Sequence, residues 1–340
     1  MAANAKMAPP APPITTDPST FATLSVSHIL RLHHRERLVV HPLLWTSRQL
    51  DLLSCAFVDA PPTNTDQTGN GCDTDERHTS PPLIVGSATP SNAQPGLPGV
   101  GSKVPSKKLH DCHGQAPSVY IHARMLTLAK LLPAKAYAIR QLLCEDQSSC
   151  VEKLAFHYDK QAIRLPCIQM LFSIGKGSQF PDSPSIAHVY FLEIVAARKS
   201  RLGRLTRSLP SPPIRSLQKI RLQRVTPVSL ARDSYIVAVL IAMAQAQAGR
   251  DSASPGTESF RVNLLLNNID DKSHLHVFSA VIEKVLLERL ANPKSAPPHA
   301  VQTKVHTHVV PYKPFLTFQQ RLLEVIASRR HKRKRQPDDE

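Results

Sequence analysis

The chain has 340 residues, of which 41% are hydrophobic, 30 are proline and only 5% are aromatic, and its formal net charge is +16. This composition allows a packed domain and predicts that proline-rich segments, which cannot form a core, interrupt it. The most apolar run, Tyr235–Ala244, is far shorter than the ~20 residues of a membrane-spanning helix, and residues 1–13 lack an apolar secretory signal. We therefore expect no membrane association and reduced cysteines.

The first part of the chain is predicted to be a disordered stretch followed by two helices. Residues 1–16 are rich in alanine and proline. Asp17 and Pro18 then offer an N-cap acceptor and a proline that needs no amide partner, which predicts a helix over about 18–35. A second short helix is expected after Thr46. Its apolar positions are Leu50, Leu53 and Phe57.

Residues 17–57 are thus interpreted as a helical segment, and residues 58–117 as a disordered linker. Proline and glycine break every periodic pattern in this linker, so it cannot bury enough apolar area to offset its ordering entropy. Whether the helical segment packs on the rest of the chain is not indicated by its sequence.

Ordered structure is predicted to resume at residue 118 and to continue to 328. Two helical patterns, at about 119–131 and 134–145, are divided by Pro133. The two apolar runs that follow predict strands. These strands are Ile168–Ile174 and Ala187–Val195. A basic insertion over 196–224 comes next, and its prolines at 210, 212 and 213 argue against one continuous helix.

The C-terminal part of this domain predicts helix, strand, strand, helix, strand and helix in order. The predicted spans are Ser229–Gln247, Phe260–Leu266, His274–Ile282, Glu283–Ala291, Val301–Val310 and a last helix with Phe318, Leu322, Val325 and Ile326 as its buried stripe. Residues 268–273 form the turn of a hairpin, and Thr317 with Gln320 predicts a capping box. The fold class expected from this order is α+β, with helices packed on a small mixed or antiparallel sheet.

Three runs in this region carry a resemblance. LARDSYIVAVLIAMAQAQ, SHLHVFSAVI and VVPYKPFLTFQQRLLEVIASRR resemble the C-terminal half of uncharacterised proteins from filamentous fungi. The resemblance covers about residues 213–330. No motif within it is a chemical signature, so it implies a shared fold and no particular activity.

The positive charge is concentrated in two segments, which indicates polyanionic partners. The basic insertion contains no acid, and we predict that it contacts DNA or RNA without base specificity. Its cations are Arg198, Lys199, Arg201, Arg204, Arg207, Arg215, Lys219, Arg221 and Arg224. The basic tail, residues 329–340, predicts recognition by an import receptor and a nuclear location. Its cations are Arg329, Arg330, Lys332, Arg333, Lys334 and Arg335.

Four histidines are weak candidates for a metal site. His274 and His276 share a face of one predicted strand, and His306 and His308 share a face of another. If the strands are neighbours, four imidazoles could converge on Zn²⁺. Phe278 and Ile282 fall on the same face as the first pair, which favours ordinary polar positions on a sheet instead. We expect neither a metal nor another cofactor.

The sequence contains no GxxxxGK[ST], GxGxxG, GxSxG or HExxH motif, and we predict no catalytic residue. The alternative from another functional class is a metal-dependent, nuclease-like hydrolase acting on nucleic acid. Such chemistry needs acids and a lysine around a metal. Its candidates, Asp270 with Asp271 and Glu193 before Lys199, do not form the compact acid-x-lysine strand that it requires. The favoured interpretation is a non-enzymatic nuclear adaptor that also holds a protein partner.

Overall fold

A seven-stranded mixed sheet is the centre of the structure. The computed structural model describes residues 21–34, 36, 39–59, 117–143, 149–150, 153–173, 185–203, 211–250 and 257–327. In this part of the chain the strands are β1 Cys55–Asp59, β2 Ser149–Cys150, β3 Ala155–Tyr158, β4 Gln161–Arg164, β5 Ile168–Phe172, β6 Ile186–Tyr190, β7 Ser259–Asn267, β8 His274–Glu283 and β9 Thr303–Pro311. The order in the large sheet is β1-β9-β8-β7-β6-β5-β2, and β3 with β4 forms a separate hairpin. β1 is parallel to β9 and β6 is parallel to β7, whereas the other neighbours are antiparallel.

Helices cover both faces of this sheet. They are α1 Val26–Leu32, α2 Ser47–Leu52, α3 Ser118–Leu128, α4 Leu132–Leu143, α5 Phe191–Gly203, α6 Pro212–Val225, α7 Ser234–Arg250, α8 Lys284–Ala291 and α9 Phe318–Ala327. Strand residues alternate between the two layers: Leu264 and Leu266 pack with α7, whereas Leu265 packs with α3, α4 and α9. Residues 235–244 of α7 are fully buried, which is why that run is apolar on every side. The α+β class predicted from the sequence is confirmed.

The N-terminal segment is part of this fold rather than a separate helical piece. β1 pairs with β9 in the order Cys55↔Thr303 to Asp59↔Thr307. The amide of Ser27 donates to the carbonyl of Pro293 at 2.8 Å. The described residues between 21 and 59 therefore complete the sheet and its core. β1 runs to Asp59, two residues beyond the predicted end of this segment at residue 57, and residues 60–116 lie outside the described part of the chain.

Helix α2 begins where Thr46 predicts it but ends before Phe57. Thr46 and Gln49 form a capping box, with the Thr46 amide 2.8 Å from Gln49 Oε1. The expected helical position of Phe57 was wrong, since this residue lies in β1 opposite Val305. The capping box expected at Thr317 and Gln320 was also wrong. Thr317 Oγ1 donates to the Pro314 carbonyl at 3.4 Å instead, within a 3₁₀ turn that precedes α9.

The strand predicted over Ala187–Val195 ends at Tyr190, and helix α5 begins at the next residue, Phe191. Ile194, Arg198 and Leu202 are the buried residues of α5 and recur every four positions. This is the spacing of one helical face. The sequence pattern did not indicate this buried helical face because an arginine, Arg198, occupies its middle position. The β7–β8 hairpin is confirmed. In the strand predicted over Val301–Val310, which begins at Thr303, alternate residues are buried from 301 to 307, but the alternation ends at Val309, which is 51% exposed.

Candidate nucleic-acid interface

Helix α6 is the most exposed helix of the basic insertion. It starts at Pro212, next to Pro213, where the first turn needs no amide partner, and it ends at Val225. None of its residues is buried. It exposes four cations and contains no acid. These cations are Arg215, Lys219, Arg221 and Arg224.

Two more cations of the predicted strip are exposed on α5. Lys199 and Arg201 lie near its C-terminal end, and the Gln218 amide of α6 reaches the Leu202 carbonyl of α5 at 3.5 Å. We call Lys199, Arg201, Arg215, Lys219, Arg221 and Arg224 the cationic surface. Burial and the positive charge of Arg201 lower the pKa of His41 to about 4, so this histidine adds no charge at neutral pH. Arg204 and Arg207 lie outside the described residues.

Arg198 was predicted to contact nucleic acid, and the structure corrects this. Its side chain and that of Asp233 are both 0% exposed. Nη1 and Nη2 each donate to one Asp233 carboxylate oxygen at 2.7 Å, and Nε donates to the Leu43 carbonyl at 2.7 Å. Asp233 Oδ1 also accepts the amide of Tyr235 at the start of α7. Arg198 therefore joins α5, α7 and the N-terminal segment inside the core.

The four histidines do not converge, although their strands are neighbours. The β8–β9 register pairs His276 with Val309 and His308 with Val277, and directly opposed residues point to the same face. His274 and His276 consequently face the α7 side, and His306 and His308 face the other. Among the described residues, no group of three or more His, Cys, Asp or Glu side chains could hold a metal ion.

The residues named for the hydrolase alternative have other contacts. Glu193 lies in the first turn of α5, where the Gln169 amide donates to its carboxylate. Burial raises the pKa of Glu193, and the hydrogen bond from Gln169 partly offsets this. Asp271 Oδ1 caps the β7–β8 turn by accepting the amides of Ser273 at 2.8 Å and His274 at 3.0 Å. Lys199 is exposed on the cationic surface.

A buried polar cluster escaped the sequence analysis. His188 and Tyr190 point from β6 toward the α4 side, and the rings lie 4.7 Å apart. The Tyr190 hydroxyl donates to the Leu132 carbonyl at 2.7 Å. Both ring nitrogens of His188, both amide atoms of Asn267 and the Tyr312 hydroxyl have no hydrogen-bond partner within the described residues. Burial lowers the pKa of His188 to about 3, so its imidazole is neutral at physiological pH.

The only signal for this cluster is the run AHVYF, in which a histidine and a tyrosine lie among apolar residues of a predicted strand. A histidine between apolar neighbours on a central strand must be buried, but its position alone does not reveal which polar groups surround it.

Comparisons with known proteins assign no family. No protein-family model matches the chain, and no curated protein matches it significantly. The resemblance of residues 213–330 to fungal proteins stays a prediction. None of the helices in the described ranges is both long and apolar enough to cross a bilayer.

Proposed function

We propose that this protein is a non-enzymatic nuclear interaction protein that contacts nucleic acid, without base specificity, through its cationic surface. The observation that carries the proposal is α6, a helix with no buried residue, four exposed cations and no acid. A helix without a buried face gains little stability from packing, so its side chains are available to contact a partner. Cations on such a surface bind phosphates and release counter-ions.

The position of the charges favours backbone contact over base recognition. Arg215 and Lys219 are one helical turn apart, and Arg221 and Arg224 are three residues apart, so the cations point to several sides of α6. The cationic surface contains no aromatic side chain on which bases could stack. Both features are typical of salt-sensitive binding that tolerates any sequence, with DNA and RNA as equivalent partners.

The adaptor part of the proposal is supported by an apolar pocket on another part of the molecule. Its volume is about 70 Å³, and it lies between the N-terminal segment and the β3–β4 hairpin. Trp45, Leu53, Phe156, Ile163 and Leu290 contribute to its wall. An apolar side chain of a protein partner fits this lining. Trp45 is the only tryptophan, so its fluorescence reports whether the pocket is filled.

Nuclear import is proposed from the basic tail. Residues 329–335 lie outside the described residues, and the proposal rests on their composition and on their place after α9. A fusion of the chain to a large fluorescent reporter should accumulate in nuclei. The same fusion without residues 329–340 should stay in the cytoplasm, and nuclear accumulation without the tail would contradict its role.

The nucleic-acid proposal is tested by fluorescence anisotropy of labelled duplex DNA and RNA over a salt series. Changing the four α6 cations together to glutamine should weaken binding and make the salt dependence shallower by up to about 3.6 in log–log slope. The matched control removes four other exposed cations, and so changes the net charge equally. These are Lys130, Lys294, Lys304 and Lys313. Equal losses in the two variants would show that overall charge, and not the cationic surface, is responsible.

A further inference from the structure

The apolar pocket that supports the adaptor proposal lies beside the point at which the described chain begins. Phe21 packs with Ile29 and Leu52 in one buried cluster, and these two partners also line the pocket. The Phe21 carbonyl accepts a hydrogen bond from Arg289 Nη2 at 2.8 Å, and the next residue of α8, Leu290, is part of the pocket wall. The chain that precedes Phe21 therefore joins the core next to the pocket.

The pocket has aromatic walls and is partly open to solvent. Trp45 and Phe156 meet edge-to-face with ring centroids 5.2 Å apart, and Tyr158 adds a third ring to the lining. The Trp45 indole donates to the Val40 carbonyl at 3.2 Å, which holds the ring in place. Val39 belongs to the lining and is 60% exposed, so it marks the mouth of the pocket. Covering this surface with apolar groups is favourable because apolar area is removed from water.

The sequence before Phe21 contains a run without polar side chains. Residues 9–14 read PPAPPI and lie outside the described ranges. Only Ala11 and Ile14 of this run carry a backbone amide hydrogen, so its backbone offers mainly acceptors. Burial raises the pKa of Tyr158, so its hydroxyl keeps its proton and can donate to such an acceptor. Proline-rich peptides dock in aromatic-lined grooves because their restricted backbone lowers the entropic cost of binding.

The run is close enough along the chain to reach the pocket. Six residues separate Ile14 from Phe21, and this length of chain spans at most about 25 Å and typically about 15 Å. A tether of this length gives an effective concentration of about 1 mM. A run whose separate peptide binds with a Kd of about 0.2 mM would then fill the pocket about 80% of the time.

We propose that residues 9–14 occupy this pocket in the same chain and must be displaced before a protein partner can bind there. The inference rests on the adaptor part of the proposed function, because it describes how access to the adaptor pocket is regulated. At about 80% occupancy the run reduces the apparent affinity for a partner about fivefold. The proposal is independent of the cationic surface, whose residues do not line the pocket.

The test uses full-length chains and energy transfer from Trp45, the only tryptophan, to a dansyl-labelled synthetic peptide of residues 5–18. The run variant lacks the apolar run and carries three substitutions: Pro12→Gly, Pro13→Gly and Ile14→Ser. Its control changes three residues earlier in the same segment: Ala2→Gly, Ala3→Gly and Ala5→Ser. The same labelled peptide with the three run substitutions is the control for the dansyl group itself.

The labelled peptide should bind the run variant saturably, and the substituted peptide should not. Its Kd for the wild type and for the control chain should be at least about fivefold higher, because their own run competes for the pocket. Val39→Asp, added to the run variant, should weaken peptide binding at least about tenfold, because it places a charge at the mouth of an apolar pocket. Leu128→Asp, at an apolar residue of α3 that is 62% exposed, should leave binding unchanged.

The proposal is overturned if the run variant does not bind the peptide at millimolar concentrations, or if it binds no more tightly than the wild type does. It is also overturned if the wild type sediments as a dimer and the run variant as a monomer, since the run would then fill the pocket of a second copy. The dye ANS, which binds apolar surface, tests the pocket separately. Transfer from Trp45 to ANS that Val39→Asp abolishes would preserve the adaptor proposal when the peptide fails to bind, whereas loss of both signals would contradict both proposals.

Discussion

Replacing Arg198 with methionine should destabilise the protein strongly without weakening its contact with nucleic acid. Methionine retains much of the aliphatic length of arginine but removes the charge and every donor. The Asp233 carboxylate would then be buried without its cation, and the Leu43 carbonyl would lose the 2.7 Å hydrogen bond from Nε. Breaking a buried pair in this way costs about 3–5 kcal/mol, a large part of the 5–15 kcal/mol that is typical of a folded domain.

Urea unfolding followed by the fluorescence of Trp45 measures this effect. Trp45 is 5% exposed and lies edge-on to Phe156, so unfolding moves its ring from the core into water. The matched control is Lys199→Met, which changes the adjacent but exposed cation. We expect the control to alter the free energy of unfolding by less than about 0.5 kcal/mol and to reduce the salt slope of nucleic-acid binding by about 1.

The two variants should therefore behave in opposite ways in the two assays. Arg198→Met leaves the salt slope of the remaining folded protein unchanged, and Lys199→Met leaves stability unchanged. A second change, Asp233→Asn, made in the Arg198→Met background should cost less than it does alone, because it removes a carboxylate already without its partner. If Arg198→Met unfolded like the wild type and lost a unit of salt slope, the assignment of Arg198 to the core would be refuted.

Two other predictions concern a buried histidine and a helix cap. The His188 imidazole has a folded pKa of about 3 against an ordinary 6.5, so the unfolded state binds the extra proton between those values, and stability should fall as pH falls from about 6.5 toward 3. His188→Phe should make this decline shallower by up to about 1.4 kcal/mol per pH unit in urea titrations, and an unchanged slope would contradict the assignment. Thr46→Ala removes the capping box of α2 and should lower the free energy of unfolding by about 1 kcal/mol. Thr317→Ala, at the position where no such box forms, should lower the free energy of unfolding by less in the same assay. Equal losses in the two variants would contradict the assignment of a capping box to Thr46 alone.

The elements that the sequence predicted well are those whose signal is local. The run Tyr235–Ala244 is apolar at every position and forms the buried centre of α7. The polar residues over 268–273 separate two apolar runs and form the β7–β8 turn. Alternation along β9 identified the buried residues 303, 305 and 307, although Val309, next in the same series, is 51% exposed. Each of these patterns lies within one element or one hairpin.

The elements that were missed depend on partners that are remote in the sequence. β1 is a short edge strand, and its parallel pairing with β9 cannot be inferred from residues 55–59 alone. The histidine pairs were each assigned correctly to one face of a strand. Whether the pairs share a face depends on the register between β8 and β9, which sets His276 opposite Val309. A register is a property of two strands, so a one-strand pattern leaves it open.

Arg198 shows the same limitation for a candidate binding residue. In the sequence it is one of nine cations in a strip without acids, and its partner Asp233 lies 35 residues further along the chain. Only the packing of α5 against the start of α7 separates it from Lys199, its immediate neighbour. Charge density along a sequence thus identifies a cationic region but not which of its members face solvent.

Because Arg198 is buried, the number of exposed cations limits how strongly the cationic surface can bind nucleic acid. It contains six exposed cations, so contact with duplex DNA through all of them gives a salt slope of at most about 5.4. Arg198 contributes nothing to this value because its charge is neutralised internally by Asp233. A chain lacking residues 329–340 that binds with a steeper slope must recruit further cations, and Arg204 and Arg207 are the nearest along the sequence. The limiting slope therefore distinguishes a contact confined to α5 and α6 from one that also uses the segment between them.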